Sequence, residues 1–155
     1  MAINIHKYII RVYGLIINSK NEILISDEFQ LNMRMTKFPG GGMEFGEGPV
    51  DCLKREAIEE LGQEIEVLDH FYTTDYFQPA YFYDDSQLIS VYYFARFKEP
   101  VKFKISDKPF DFEQDRNGNQ SFRWESIKKI KPEDFSFPVD QKVVGLLKAH
   151  YGFTD

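Results

Sequence analysis

The chain has 155 residues and a formal charge of −6, within the usual size range of one domain. That acidic balance excludes a binder of long nucleic acid, which needs a basic stripe. It does not exclude a small phosphate ligand, because bound cations reverse the local sign. The single cysteine, Cys52, cannot form a disulfide within the chain and fits a reducing, cytoplasmic setting.

Residues 8–17 form a β-rich apolar run and predict a first strand. Arg11 and Gly14 interrupt it, and it is too short for a membrane span, so no membrane partner is expected. Residues 22–26 predict a second strand, joined to the first by the polar turn 18–21. Residues 31–37 read as a loop rising into a short strand at 36–38, which Pro39 stops. Gly40, Gly41 and Gly42 permit backbone turns that other residues make only at a cost. Gly48-Pro49 then opens a helix, since Pro is favoured at the first helical position, and Gly62 closes it with a left-handed cap. Val50, Leu53, Ala57 and Leu61 share one stripe of that helix, the face that packs on a core.

Residues 64–71 predict a strand, residues 84–86 a turn, and residues 88–97 a strand that is apolar on both faces and therefore central. A short strand at 121–124 and a helical turn at 126–130 follow. Pro132 and Pro138 punctuate a loop, and Asp140 is expected to cap a last helix whose apolar face is Val143, Val144, Leu147 and Tyr151. Strands on both sides of the first helix, together with the last helix, predict an α/β fold with a mixed sheet between helices. One domain is expected over residues 1–155.

The chemistry concentrates in residues 41–63. Glu56, Glu59 and Glu60 stand at i, i+3 and i+4 on one helical face, and Glu47 lies within reach in the preceding loop. Carboxylates crowded in this way repel one another unless cations hold them. An oxygen-only donor set suits Mg2+ or Mn2+ and does not suit zinc. Glu-rich helix faces are usually solvated surface, so the weight rests on the spacing: Gly41, Glu47, Arg55, Glu56, Glu59, Glu60 and Gly62 fit G-x5-E-x7-R-E-U-x-E-E-x-G-U, with U a bulky aliphatic residue. In this respect the chain resembles the Nudix hydrolase family. It departs at the two U positions, which hold Ala57 and Gln63, while no charged position is missing.

The resemblance implies an α/β/α sandwich and metal-dependent hydrolysis of a nucleoside diphosphate linked to another moiety. It implies Glu56 and Glu60 as principal metal ligands, with Glu59 as a further ligand or a holder of water. The Gly40 carbonyl would complete the inner shell, and Glu47 would bind through water or pair with Arg55. Arg55 would orient the carboxylates. The general base stays open between a glutamate of the helix, such as Glu56, and the acidic segment 107–118, which offers Asp111, Glu113 and Asp115.

The motif names the reaction and not the leaving group. Residues 72–83 are dense in aromatic rings that would stack on a nucleobase or pack internally, Tyr81 among them. Lys7, Arg11, Arg34 and Lys37 are candidates to touch phosphates, of which Arg34 and Lys37 are close to the glycine loop in sequence, and Phe38, Gly41 and Gly42 are further candidates for contact with substrate. Pro79 lies sixteen residues past Gln63, a spacing found in relatives that act on ADP-ribose. ADP-ribose or a nucleotide sugar is therefore placed first, ahead of nucleoside triphosphates and dinucleoside polyphosphates. A nucleotide sensor without turnover is the alternative from a different class. The expected partners are a small-molecule nucleotide derivative and a second copy of the chain in a homodimer.

Overall fold

The computed structural model describes residues 4–153. Seven strands and two α-helices follow in the order β1 Lys7–Ile16, β2 Glu22–Gln30, β3 Met33–Lys37, β4 Gly40–Gly42, α1 Pro49–Leu61, β5 Ile65–Thr73, β6 Ser86–Phe97, β7 Asn119–Ser126 and α2 Pro138–His150. A short 3-10 turn at Pro132–Asp134 precedes α2. Among these residues no helix is long and apolar enough to cross a membrane.

Two sheets form. One has the order β4-β1-β6-β5 and the other β3-β2-β7. The first is mixed, because β1 runs parallel to β6 and antiparallel to β4. Strand alternation divides the core. Val12, Ile16, Leu24, Val91 and Ala95 face one way and pack with Cys52, Leu53, Ala57 and Leu61 of α1. Tyr13, Leu15, Ile23, Ile25 and Tyr92 face the other way and pack with Val139, Val143, Val144 and Leu147 of α2. The result is the sandwich of sheet between helices that the sequence implied.

Three expectations change. Residues 31–37 are not a rising loop: β2 continues to Gln30, and Leu31 and Asn32, at φ 49° and 59°, turn the chain straight into β3. Two consecutive left-handed residues are the signature of a tight hairpin turn, but leucine rarely takes that conformation and so gave no signal. The three glycines are a short strand paired with β1 and not a free turn. Asp140 does not cap α2. Phe137 holds the N-cap position, and Asp140 sits inside the first turn, buried.

Candidate active site

Helix α1 begins at Pro49 after Gly48, whose amide donates to Asp51 Oδ2 at 3.2 Å, and ends at Gly62 with φ 65°. Its buried stripe fixes the rotation of the helix, which turns the glutamate face toward β4. Arg55 gathers the carboxylates. Its Nε and Nη2 donate to the two oxygens of Glu47 at 2.9 and 2.7 Å, and Nη1 donates to Glu56 at 3.0 Å and Glu59 at 3.1 Å. Nη2 also donates to the Gly42 carbonyl at 3.0 Å, which ties the helix to the glycine strand. The Arg55 hydrogen bonds hold the Glu47 carboxyl down at about 2, and the guanidinium is in turn raised by Glu47 and Glu56.

Glu60 is in a different state. It accepts no hydrogen bond from any described residue. Burial pushes its carboxyl up to about 7, opposed by Lys37 and reinforced by Glu28 and Glu56. Gly41 lies flush against the Glu56 carboxyl, so that a Cβ at residue 41 would collide with it. Cys52 is buried beneath, and burial pushes its thiol up to about 12, which leaves it a packing residue.

Among the described residues no group of three His, Cys, Asp or Glu side chains converges as a preassembled cation cage. The donor chemistry nevertheless fits a hard divalent ion. Glu56 and Glu60 present carboxylate oxygens beside a glycine backbone that leaves no side chain between, and Glu60 has no competing donor.

The glutamates Glu56 and Glu60 open onto a cavity of about 500 Å3. Its floor is built from three pairs in register across the parallel strands β1 and β6: Ile9 with Leu88, Arg11 with Ser90, and Tyr13 with Tyr92. Residues 40–42, Glu28, Met35 and Lys37 also line it, as do Tyr81, Phe82, Tyr83 and Phe137. The Tyr81, Phe82 and Phe137 rings meet edge to face, with centroids 4.8 to 6.2 Å apart. At the base, the Tyr92 hydroxyl donates to Asp140 Oδ1 at 2.6 Å. Burial lifts the Asp140 carboxyl to about 6, although Tyr92, Lys37 and Arg11 oppose the shift.

The sequence candidates fall into three groups. Arg11, Lys37, Gly40, Gly41, Gly42, Glu56, Glu60 and Tyr81 line the cavity. Glu47 and Glu59 meet Glu56 through Arg55. The remaining candidates are not among its lining residues. Phe38 is buried in the core, stacked on Phe135 at 4.6 Å and edge-on to Tyr92. Arg34 pairs with Asp115 at 3.0 Å and lies over the Phe110 ring. Pro79 bridges to Gln87, just before the segment that delivers Tyr81 to the wall. Glu113 is exposed on a loop whose neighbours Asp111 and Asp115 pair with Lys104 and Arg34. Tyr13, Glu28, Ser90, Tyr92, Phe137 and Asp140 were not foreseen as cavity residues. The alternation of residues 9, 11 and 13 with 88, 90 and 92 was the available signal, but it acquires meaning only once the two strands are known to pair.

A model of the NUDIX domain matches residues 7–144. No curated protein matches the chain. Solved structures do. A NUDIX hydrolase from Nitrosomonas europaea superposes with a TM-score of 0.67 at 18% identity, over 94% of this chain and 90% of that one. The MutT studied from Aliivibrio salmonicida and Vibrio cholerae gives 0.54 at 24% identity, over 93% and 99%. An ADP-ribose pyrophosphatase from Streptococcus suis gives 0.61 at 14% identity, over 95% and 93%. At these identities the likeness is one of fold.

Proposed function

The chain belongs to the NUDIX family and is by that membership a hydrolase of phosphoanhydride bonds; we propose that it cleaves the diphosphate linkage of a nucleoside diphosphate derivative, with Mg2+ or Mn2+ bound. The observation that carries this is the joining of two chemistries in one cavity. Glu56, Glu60 and the glycine backbone line it together with the Tyr81, Phe82 and Phe137 rings. A diphosphate would lie beside the glutamates and a planar base against the rings.

Glu56, Glu60 and the Gly40 carbonyl would hold the ion, with Glu59 and Glu47 contributing from outside. When bound, it neutralises phosphate charge and makes water more acidic. Arg55 keeps Glu56 and Glu59 aimed from a fixed fork of donors. A glutamate of α1 whose carboxylate is not then committed to the ion would take the proton from the attacking water, since α1 presents glutamates to the cavity and Glu113 does not line it. ADP-ribose and nucleotide sugars remain first in order, since Pro79, bridged to Gln87, stands just before the segment that carries Tyr81 and Phe82 to the cavity. Nucleoside triphosphates and dinucleoside polyphosphates follow.

The test is incubation with Mg2+ and a panel of these four classes, with products separated by chromatography. One class should be split at a diphosphate bond, and chelation should abolish the reaction. Glu60→Gln should lower kcat by about 100-fold or more, whereas Glu113→Gln should turn over at the wild-type rate. Tight binding of a panel member without turnover over hours would overturn the enzyme in favour of a sensor.

A further inference from the structure

Two cations line the cavity among the described residues, and they stand in different conditions. Lys37 Nζ lies 3.2 Å from Glu28 Oε2, with both side chains 9% exposed. Glu28 also accepts from Ser26 Oγ at 2.9 Å and Gln120 Nε2 at 3.1 Å. The charge of Lys37 is thus answered within the protein.

Arg11 is not answered in that way. Its Nε donates to the Tyr13 hydroxyl at 2.6 Å, and its guanidinium carbon lies 5.5 Å from the centre of the Tyr13 ring. That contact fixes the guanidinium and uses one of its five donors. Nη1 and Nη2 make no hydrogen bond or ion pair with any described residue. Glu28 and Glu56 favour its charge without capturing those nitrogens. Withdrawing a cation from water is costly unless partners compensate it, so a half-buried arginine with an open fork facing the cavity is an arrangement suited to an anionic partner.

Its neighbours leave room for that partner. Arg11 stands in register with Gly42 on one side and Ser90 on the other. A Cβ at Gly42 would have Arg11 Nη1 as its nearest neighbour, at 4.0 Å. The Ser90 hydroxyl, on a residue 1% exposed, stands beside the Tyr92 phenol and completes no well-formed hydrogen bond. An open guanidinium fork and an orphaned hydroxyl therefore stand in register on one stretch of cavity floor, next to the glycine strand.

We propose that Arg11, assisted by the Ser90 hydroxyl, is the seat of the substrate's diphosphate, gripping phosphate oxygens through Nη1 and Nη2. The ligand rests on the pyrophosphohydrolase function proposed above. Two parallel N–H donors match the spacing of phosphate oxygens, whereas a planar base is better served by the aromatic rings that also line the cavity. Arg11 orients the phosphate relative to Glu56 and Glu60, and Lys37 cannot replace it while Glu28 holds its charge.

The probe is inorganic pyrophosphate with Mg2+, which has no base to bind elsewhere. Binding is read from the thermal shift of the wild type and of Arg11→Gln, Arg11→Lys and Ser90→Ala, alongside KM and kcat on the best panel substrate. Arg11→Gln should weaken pyrophosphate binding by about 10- to 100-fold and raise KM to match, with kcat changed less. Arg11→Lys should recover only part of this, because it restores the charge and not the fork, and Ser90→Ala should show a smaller loss of the same kind. No shift for the wild type, wild-type affinity in a folded Arg11→Lys or Arg11→Gln, or a loss confined to kcat would each overturn the proposal. Pyrophosphate binding that depends on Arg11, with no hydrolysis of any panel member, would leave this subsite standing and sink the proposed function instead.

Discussion

Two neighbouring glycines matter for opposite reasons. Gly40 has φ 149°, and a Cβ there would meet the Val12 carbonyl and the Tyr13 backbone. Neither can move without breaking the pairing of β1 with β4. Gly41 does not have a positive φ, and the nearest atoms a Cβ there would meet all belong to the Glu56 carboxyl, the far end of a side chain. Gly40→Ala should therefore lower the unfolding temperature. Gly41→Ala should keep a near wild-type melting curve while kcat falls, because Glu56 must leave the position in which Arg55 holds it. Calorimetry paired with a rate assay separates the two, and equal melting losses in both variants would refute the distinction. The closeness of Arg55, Glu56 and Glu59 was legible in the sequence because helix geometry turns spacing into proximity, and Glu47 came with the motif. The open fork of Arg11 was not, since whether a cation is already paired depends on strands far away in sequence.

Among the elements, α1 was the most legible, with Pro49, the apolar stripe and Gly62 all agreeing on its limits. The β2–β3 hairpin was hidden by Leu31 in a left-handed turn. Gln63 looked like a defect where an aliphatic residue was expected. It is instead a clamp on the long connection after β6. It is 7% exposed, its Nε2 donates to the carbonyls of Glu99 and Pro100 at 3.1 and 2.9 Å, and its Oε1 accepts from the Lys102 amide at 3.0 Å. Gln63→Leu should cost about 1–3 kcal/mol in urea unfolding and leave KM unchanged, because that connection does not line the cavity. A rise in KM would show that the clamp reaches the site.

For the molecule as a whole, Asp140 couples stability to pH. Its folded carboxyl lies at about 6, above the ordinary 3.8. The native state therefore keeps a proton that the unfolded chain releases first. This contribution is most favourable below about pH 4, declines as pH rises toward 6, and then levels off, for a total of about 3 kcal/mol. Asp140→Asn keeps an acceptor for Tyr92 and removes the charge. Its stability relative to wild type should climb between pH 4 and 6 in chemical unfolding, and a difference independent of pH would contradict the assignment. The sandwich itself was readable from the order of strands and helices, but the cavity was not, because its floor comes from β1 and β6 and its rim from β2, β3, the segment before β6 and the start of α2.

The parallel register of Arg11 with Ser90 and Tyr13 with Tyr92 also sets a schedule. On a chain made from its N-terminus, β1 has its antiparallel neighbour β4 early but waits for the far strand β6, and Asp140 arrives later still. Long-range pairing of this kind is slow to form. Helical signal should return first when the denatured protein is refolded, and pyrophosphate binding last. Ligand capture should thereby report completion: a chain interrupted before Phe137 would contain the whole glutamate helix and still lack Phe137 and Asp140 from the cavity those glutamates face.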